Sequence, residues 1–240
     1  MPESAPEIVD DRGVAVERMF SAIAPRYDFL NRLLSAGRDR TWRHEAVAAT
    51  ALPRQGILLD VCTGTADMAL EAARQFPEAR IVGVDFSRAM VALGAAKIER
   101  ARFGERVRLQ VAPAEALPFA DDSFDAATVA FGLRNVPDRL RGLREMRRVV
   151  RSGGRAVVLE FTTPPHPLFR RVYLWYSHRL LPRIGWLVSG HPSAYSYLPA
   201  SVSDFPSPQG LAEWMHEAGF SEVSYQLLTG GIVAIHVGVK

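Results

Sequence analysis

Two spacings of apolar residues follow one another along the chain, and the change between them predicts its layout. Over residues 14–52, apolar positions recur every three or four residues, which predicts two or three helices. Because the runs that follow are apolar throughout, they predict the strands of a parallel sheet covered by helices on both faces. The predicted strands are residues 56–62, 80–85, 107–111, 124–130 and 155–161, and the helices between most of them are 66–75, 87–99 and 138–150.

The C-terminal part of the chain predicts an antiparallel ending for this sheet. Ser207 and Pro208 offer a cap and a first residue for another helix. The two alternating runs around Gly230 and Gly231 are typical of a hairpin. The order of elements resembles the S-adenosylmethionine-dependent methyltransferase fold, a Rossmann-like α/β fold with a mostly parallel seven-stranded sheet and an antiparallel C-terminal hairpin.

Length and composition favour one domain for all of these elements. The chain has 240 residues, 48% of them hydrophobic, which is enough to bury one large core. We expect a flexible tail over residues 1–13 and a single domain over 14–240, with an N-terminal helical lid at 14–52 and a helical insert at 162–206. No membrane-spanning run and no leader is visible, so we expect a cytoplasmic protein.

Cysteine and histidine content argues against disulfide and metal chemistry. Cys62 is the only cysteine, which excludes an internal disulfide and a cysteine-based metal cluster. The six histidines are scattered without ligand-like pairs. The sequence therefore predicts no metal site.

The insert differs in charge from the rest of a chain whose net charge is only +3. It contains no aspartate or glutamate between Phe161 and Ser203, whereas it holds four arginines among several aromatic residues. One interpretation is a lid with a solvated arginine face. The other is a surface that contacts anionic lipid headgroups or an apolar substrate, which would place the protein peripherally at the inner face of a membrane. Nucleic acid ranks third, because no known binding motif accompanies the charge.

The turn after the first predicted strand carries the strongest chemical signal. Its residues from Thr63 to Ala66 are small, so backbone amides and a helix N-terminus can approach a ligand closely. Asp60 ends the first strand and Asp85 ends the second, where a carboxylate can accept both hydroxyls of a ribose. Close packing of strand and helix is the alternative explanation for a turn of this composition.

The turn lacks the G-x-G-x-x-G pattern of dinucleotide sites, since Cys62 and Ala66 replace two of the glycines. It instead resembles the D-x-x-x-G-T-x-D form of the first methyltransferase motif, whose loop holds the methionine half of S-adenosylmethionine. The resemblance implies that S-adenosylmethionine is the cofactor and S-adenosylhomocysteine the product. The cofactor-binding residues implied in this way, two of them beside the adenine in "VAPAEALPF", are Asp60, Gly64, Thr65, Asp85, Pro113, Ala114 and Ala130.

Two longer stretches resemble the signatures of one family. "YDFLNRLLSAGRDRTW" at residues 27–42 and "RVVRSGGRAVVLEFT" at 148–162 resemble those of the ubiquinone/menaquinone biosynthesis C-methyltransferase family, and the similarity extends over about residues 15–240. "FGLRNVPD" and "ALPFADDSFD" also resemble it. The chain departs from the family at several positions, of which Asp39, where the family has histidine, puts any catalytic role of that position in doubt; the others are Leu30, Ala66, Ser152 and Thr162.

The resemblance implies transfer of a methyl group to a ring carbon of a polyprenylated quinol. Demethylmenaquinol is the first choice, and 2-methoxy-6-polyprenylbenzoquinol of ubiquinone biosynthesis is the alternative. Another lipid or phenolic acceptor, and a non-catalytic scaffold that binds the cofactor, are also open. Transient contact with a membrane surface is expected and nucleic acid is not, while a homo-oligomer is left open.

Carbon methylation of a quinol requires loss of a phenolic proton, so groups that favour the phenolate are the candidates for catalysis. Tyr27 and Asp28 are candidates to receive or relay that proton, although an aspartate at this position is also typical of a helix cap. Arg134 stays protonated and is a candidate to stabilise the phenolate, with an ion pair to Asp138 as the structural alternative. The candidates for substrate binding are Asn31, Trp42, Asn135, His178 and Tyr197.

Overall fold

A computed structural model describes residues 28, 32, 35–176, 179 and 200–240. The described residues form one seven-stranded sheet and six α-helices. In chain order, the strands are β1 Ile57–Val61, β2 Arg80–Asp85, β3 Val107–Val111, β4 Phe124–Ala130, β5 Val150–Phe161, β6 Ser221–Leu228 and β7 Val233–Val239. The helices are α1 Asp39–Ala49, α2 Asp67–Gln75, α3 Arg88–Arg100, α4 Arg139–Val149, α5 Pro167–Trp175 and α6 Pro208–Glu217.

The sheet has the predicted mixed topology, in the order β3-β2-β1-β4-β5-β7-β6. Strands β1 to β5 pair in parallel with their neighbours. Strand β7 is antiparallel to both β5 and β6, so the predicted C-terminal hairpin is confirmed. Strand β1 lies between β2 and β4, and the strand order therefore reverses beside it. Open parallel sheets bind ligands beyond the carboxyl ends of their strands at such a reversal.

The central strands β1 and β4 are buried on both faces, as the uninterrupted apolar runs predict, whereas most residues of the edge strand β6 are exposed. In β1, Leu58 belongs to one apolar cluster and Leu59 to the other, because successive side chains of a strand point to opposite faces. The first cluster includes Trp42 of α1 and Leu70 of α2. The second is built on α4 and α6, where Met215 is fully buried.

The bounds of β1 to β4 and of helices α2 to α4 agree with the sequence prediction to within one residue, whereas those of β5 do not. Strands β2, β3 and β4 have the predicted bounds, and Ser87 and Ser207 cap α3 and α6 through their side chains. Strand β5 begins at Val150, five residues before the predicted start. The pairing of β4 with β5 shifts register here, and Gly153 adopts a φ of +76°. Residues 151–154, which the sequence prediction left outside any strand, therefore form a bulge within β5.

Parts of the predicted N-terminal and insert segments are described. Helix α1 belongs to the predicted lid segment, and it packs on α2 and β5. Helix α5 belongs to the predicted insert. The predicted tail at 1–13 lies outside the described residues. Among the helices of the described part of the chain, none is long and apolar enough to cross a membrane.

A buried histidine couples the fold to pH. His236 in β7 is 1% exposed, and its Nε2 donates to the carbonyl oxygen of Pro208 at 2.8 Å. Its Nδ1 has no hydrogen-bond partner within the described residues. Burial lowers the pKa of His236 from 6.5 to about 4. The neutral ring is favoured in the fold, so this contribution to stability is complete above pH 6.5 and is lost as the pH falls through about 4.

We expect His236→Gln to remove part of the acid sensitivity of the protein. Wild type should lose up to about 3 kcal/mol of unfolding free energy through this ring between pH 7 and pH 4. The stability difference between wild type and variant should therefore shrink as the pH falls, as measured by urea unfolding at several pH values. His216→Gln, at an exposed position, is the control. Parallel stability curves for wild type and His236→Gln would contradict this assignment.

Candidate active site

The turn after β1 is tight and partly strained. Cys62, Gly64 and Ala66 have φ values of 54°, 54° and 68°, which is the left-handed region that residues other than glycine rarely adopt. Such strain is concentrated at functional sites. A methyl group placed on Gly64 would meet no atom within 4 Å, so the turn borders open space. The turn thus has room for a ligand against its backbone.

Asp85 joins this turn to the end of β2. Its Oδ2 accepts a hydrogen bond from the Gly64 amide at 2.9 Å, and its Oδ1 accepts one from the Ser87 amide at the same distance. The side chain is only 6% exposed. These two hydrogen bonds fix the Asp85 carboxylate beside the turn, at the end of β2.

Asp60 lies behind the turn and is 1% exposed. Its two carboxylate oxygens accept hydrogen bonds from the hydroxyls of Thr63 at 2.6 Å and Thr128 at 2.9 Å. Burial raises the pKa of Asp60 to about 6, although these hydrogen bonds act in the opposite direction. Its described contacts support the turn from inside, whereas direct contact with a cofactor stays a prediction.

The ends of β3 and β4 complete the same edge of the sheet. The Ala112 amide donates to the Asp85 carbonyl at 3.0 Å, which aligns the loop after β3 with the end of β2. In that loop Pro113 is exposed and Ala114 is buried. Ala130 ends β4 and is half-buried. The predicted cofactor residues therefore lie along one edge, at the ends of β1 to β4.

Arg134 is held in a buried ion pair, but its partner is not Asp138. Its Nη1 lies 2.9 Å from Oε2 of Glu160 in β5, and the two side chains are 6% and 1% exposed. The same Nη1 donates to the Phe131 carbonyl at 2.6 Å. Asp138 instead caps α4 by accepting from the Arg141 amide. The alternative pairing with Asp138 is wrong, because β5 brings Glu160 to the guanidinium.

Trp42 packs into an aromatic cluster close to Arg134. It is 4% exposed, and its ring contacts those of Phe131 and Phe161 edge-on, with centroids 6.2 Å away in both cases. Its indole Nε1 donates to the Thr229 hydroxyl at 2.8 Å. The Asn135 amide donates to the Phe131 carbonyl at 3.4 Å. Trp42 and Asn135 thus lie near Arg134, and their contact with a substrate stays a prediction.

Helix α5 of the insert lies within electrostatic range of Arg134. Burial raises the pKa of Tyr173 to about 12, and the charge of Arg134 acts in the opposite direction. The ring of Phe169 also lies against Gly230 in the connection between β6 and β7. The predicted basic and aromatic insert therefore begins beside the candidate site.

Asp28 is tied to the turn after β1 by a lysine from α3. The Thr65 hydroxyl donates to Asp28 Oδ1 at 2.6 Å, and Lys97 Nζ lies 2.5 Å from Asp28 Oδ2. Lys97 also donates to Oδ1 of Asp67 in the first turn of α2. Burial acts to raise the pKa of Asp67, but Arg43 and Lys97 outweigh it and hold that pKa below its ordinary value. One ammonium group thus links the N-terminal segment to α2 and α3.

The family histidine is replaced by an aspartate with a structural partner. Asp39 accepts from Arg43 Nη1 at 2.6 Å, and it also accepts from the Ser35 hydroxyl at 2.9 Å. Arg43 Nη2 reaches Asp67 at 3.8 Å. Asp39 therefore extends the same charged chain, which gives this position a role in packing.

Four predicted site residues lie outside the described residues: Tyr27, Asn31, His178 and Tyr197. Conversely, Glu160 and Lys97 were not predicted as site residues. Glu160 is the one charged residue among the apolar residues 156–161, which was the available signal. Lys97 gave no such signal, because its partners come from separate elements.

Nearly the full length of the chain matches a known family. The model of the ubiE/COQ5 methyltransferase family matches residues 7–240. The chain belongs to this family. A relative from Geotalea uraniireducens, named ubiquinone/menaquinone biosynthesis C-methyltransferase UbiE, is 52% identical over 231 residues, which cover 96% of this chain and 98% of the relative. The predicted family is therefore confirmed, and the protein is a methyltransferase.

Two further comparisons agree with this family. A Thermus thermophilus protein named demethylmenaquinone methyltransferase is 51% identical over 220 residues, which cover 92% of this chain and 99% of that protein. A SAM-dependent methyltransferase structure from Thermotoga maritima superposes with a TM-score of 0.63 at 22% identity, covering 93% of this chain and 99% of that one. At this identity the second likeness establishes the fold alone, and it confirms the predicted methyltransferase fold. The family and the fold imply S-adenosylmethionine as methyl donor.

Proposed function

We propose that this family member methylates a ring carbon of a polyprenylated quinol, with demethylmenaquinol as the acceptor. The observation that carries the proposal is the near-full-length identity of about half to relatives named for quinone methylation. Relatives from Thermus thermophilus and Deinococcus radiodurans are named for demethylmenaquinone, which favours that branch. Family membership favours an enzyme over a scaffold.

The turn after β1 offers the space, and Asp85 the hydrogen-bond acceptor, that the methyl donor requires. The open space in front of Gly64 leaves room for its methionine part, and the Asp85 carboxylate can accept ribose hydroxyls. When bound, S-adenosylmethionine supplies a methyl group on a positively charged sulfur. Asp60 keeps the turn rigid through Thr63, so the backbone of the turn is ordered before the donor binds.

Arg134 is suited to stabilise the negative charge that develops on the quinol oxygen. The reduced quinol is the electron-rich form, and loss of a phenolic proton makes the neighbouring carbon more nucleophilic. A fixed guanidinium that faces the phenolate oxygen stabilises the developing charge without reorganisation. Arg134 is buried in the short helical turn after β4, where low polarity strengthens this interaction.

Asp28 has contacts that suit a positioning role better than proton transfer. Its carboxylate is engaged by Lys97 and by the Thr65 hydroxyl. Because both carboxylate oxygens are engaged in this way, we assign Asp28 to bridging the turn after β1 and Lys97 of α3.

Helix α5 provides a surface for the membrane in which such a quinol resides. Leu168, Val172 and Trp175 lie on one face at helical spacing and are 70%, 56% and 60% exposed. Arg171 is exposed on the same helix, and no acidic residue lies between Phe161 and Ser203. An apolar face flanked by arginine suits shallow insertion among anionic headgroups.

Product analysis tests the proposed reaction. We expect the purified protein, given methyl-labelled S-adenosylmethionine under reducing conditions, to add one labelled methyl group to a ring carbon of short-chain demethylmenaquinol. Mass spectrometry of the extracted quinone is the measurement. Equal or preferential labelling of 2-methoxy-6-polyprenylbenzoquinol would assign the ubiquinone branch, and no labelling of either quinol would overturn the proposal.

Asp85→Ala tests the position of the cofactor. Loss of a buried acceptor should weaken binding of S-adenosylhomocysteine by about 1–3 kcal/mol, or roughly 5-fold to 150-fold. Isothermal titration calorimetry is the measurement. Asp125→Ala removes an equally engaged carboxylate at the amino end of β4 and should leave the affinity unchanged. A change below threefold for Asp85→Ala would place the ribose elsewhere.

Vesicle binding tests the surface of α5. We expect wild type to sediment with vesicles that contain anionic lipid, and the triple change of Leu168, Val172 and Trp175 to serine to lower partitioning at least tenfold. Full burial of one such side chain contributes about 1.5–3 kcal/mol, and shallow insertion gains part of that. Val111→Ser removes an exposed apolar residue from β3 and is the control. Equal sedimentation of wild type and the triple variant would refute this surface.

A further inference from the structure

We infer that Glu160 is a positioning residue for the methyl transfer, because it fixes the guanidinium of Arg134 and balances its charge. The inference rests on the proposed function, which gives Arg134 contact with the quinol oxygen. In this inference Glu160 acts through Arg134 and contacts neither the quinol nor S-adenosylmethionine.

The hydrogen bonds of Glu160 are arranged around Arg134. Its Oε1 accepts from the Arg134 backbone amide at 3.2 Å, and its Oε2 accepts from Arg134 Nη1 at 2.9 Å. The Phe161 amide donates to the same Oε2 at 3.1 Å. One carboxylate therefore fixes both the backbone and the side chain of Arg134, and β5 fixes the carboxylate.

Two aromatic residues hold the guanidinium on its other sides. The Phe131 carbonyl accepts from Arg134 Nη1 at 2.6 Å, and Phe131 adopts a φ of 57°. A bulky residue rarely adopts this conformation, which is strained and is typical of functional sites. The Arg134 guanidinium carbon also lies 5.5 Å from the centroid of the Phe161 ring. The guanidinium is thus held in one orientation.

The Nε of this fixed guanidinium differs from Nη1 in its hydrogen bonding. Arg134 Nε is buried and has no hydrogen-bond partner among the described residues. A buried unsatisfied donor is costly, and proteins retain few of them. A phenolate oxygen has the negative charge that this donor requires. The orphan Nε–H therefore points to a ligand oxygen at this side of Arg134.

Stability alone does not explain the pair. A buried ion pair is often no more stabilising than apolar residues of equal volume, because both charges must leave water. The carboxylate also has an electrostatic effect, since it offsets the charge that Arg134 presents to the quinol. Without Glu160, the charge of Arg134 is not balanced, so the phenolate would form at lower pH. The guanidinium would also lose the hydrogen bonds that orient it toward the quinol oxygen.

Glu160→Gln separates this role from a structural one. The glutamine keeps the size of the side chain but removes the charge, and its single carbonyl oxygen cannot serve all three donors. We expect the maximal kcat with demethylmenaquinol to fall more than tenfold. We also expect the rising limb of kcat against pH to move to lower pH, while the affinity for S-adenosylhomocysteine stays within threefold. Asp125→Asn, at the opposite end of β4, should change neither kcat nor the pH profile.

Other outcomes of this experiment would overturn the inference. These are a kcat within tenfold of wild type, an unshifted pH limb, or an equal loss of kcat and cofactor affinity. The last two indicate a purely structural residue. Wild-type activity is measured in the same assay, so failure of the proposed function would appear there as absence of product and is distinguishable from failure of the inference.

A double substitution keeps the test valid if Glu160→Gln does not fold. Arg134→Met/Glu160→Met removes both charges and leaves neither unpaired in the interior. If Glu160 acts only through Arg134, this double variant should have the same kcat as Arg134→Met, which lacks the guanidinium already. A further loss of more than fivefold in the double variant, with both proteins folded by circular dichroism, would show an independent role and overturn the inference.

Discussion

The hydrogen bond from the Gly64 amide to Asp85 is the contact on which the candidate site depends. It joins the strained turn after β1 to the end of the neighbouring strand, at the point where the strand order reverses. Asp60 supports that turn from below through Thr63 and Thr128. Two carboxylates thus hold the backbone of a turn that borders open space at Gly64. The sheet contributes rigidity, and the turn contributes room.

Two charged assemblies flank this turn and differ in character. Arg134 and Glu160 form a closed, buried pair at the ends of β4 and β5. Lys97 instead connects Asp28 and Asp67, which belong to separate segments and are partly exposed. The buried pair can exert a constant electrostatic field on a reacting atom, since its side chains are fixed in one orientation. The second suits attachment of a segment, because its side chains are long and partly solvated.

Local pattern predicted much of the fold, because each feature is encoded within a few residues. The bounds of β2, β3 and β4 and the caps at Ser87 and Ser207 follow from apolar runs and side-chain chemistry nearby. The bulge at Gly153 was missed, since glycine signals a turn and a bulge equally well. The partner of Arg134 was misjudged because Asp138 is near in sequence, whereas Glu160 is near only once β4 and β5 lie side by side. Lys97 was overlooked for the same reason.

The link through Lys97 has a thermodynamic consequence. Thr65 belongs to the turn after β1, and its hydroxyl donates to Asp28. A ligand that orders the turn therefore also orders the hydroxyl that Asp28 binds. Linkage is reciprocal. If the contact between Thr65 and Asp28 raises the affinity of a ligand at the turn by some factor, the ligand stabilises that contact by the same factor. Binding at the turn and the contact between Thr65 and Asp28 are therefore coupled, and Lys97 takes part because it binds the same carboxylate.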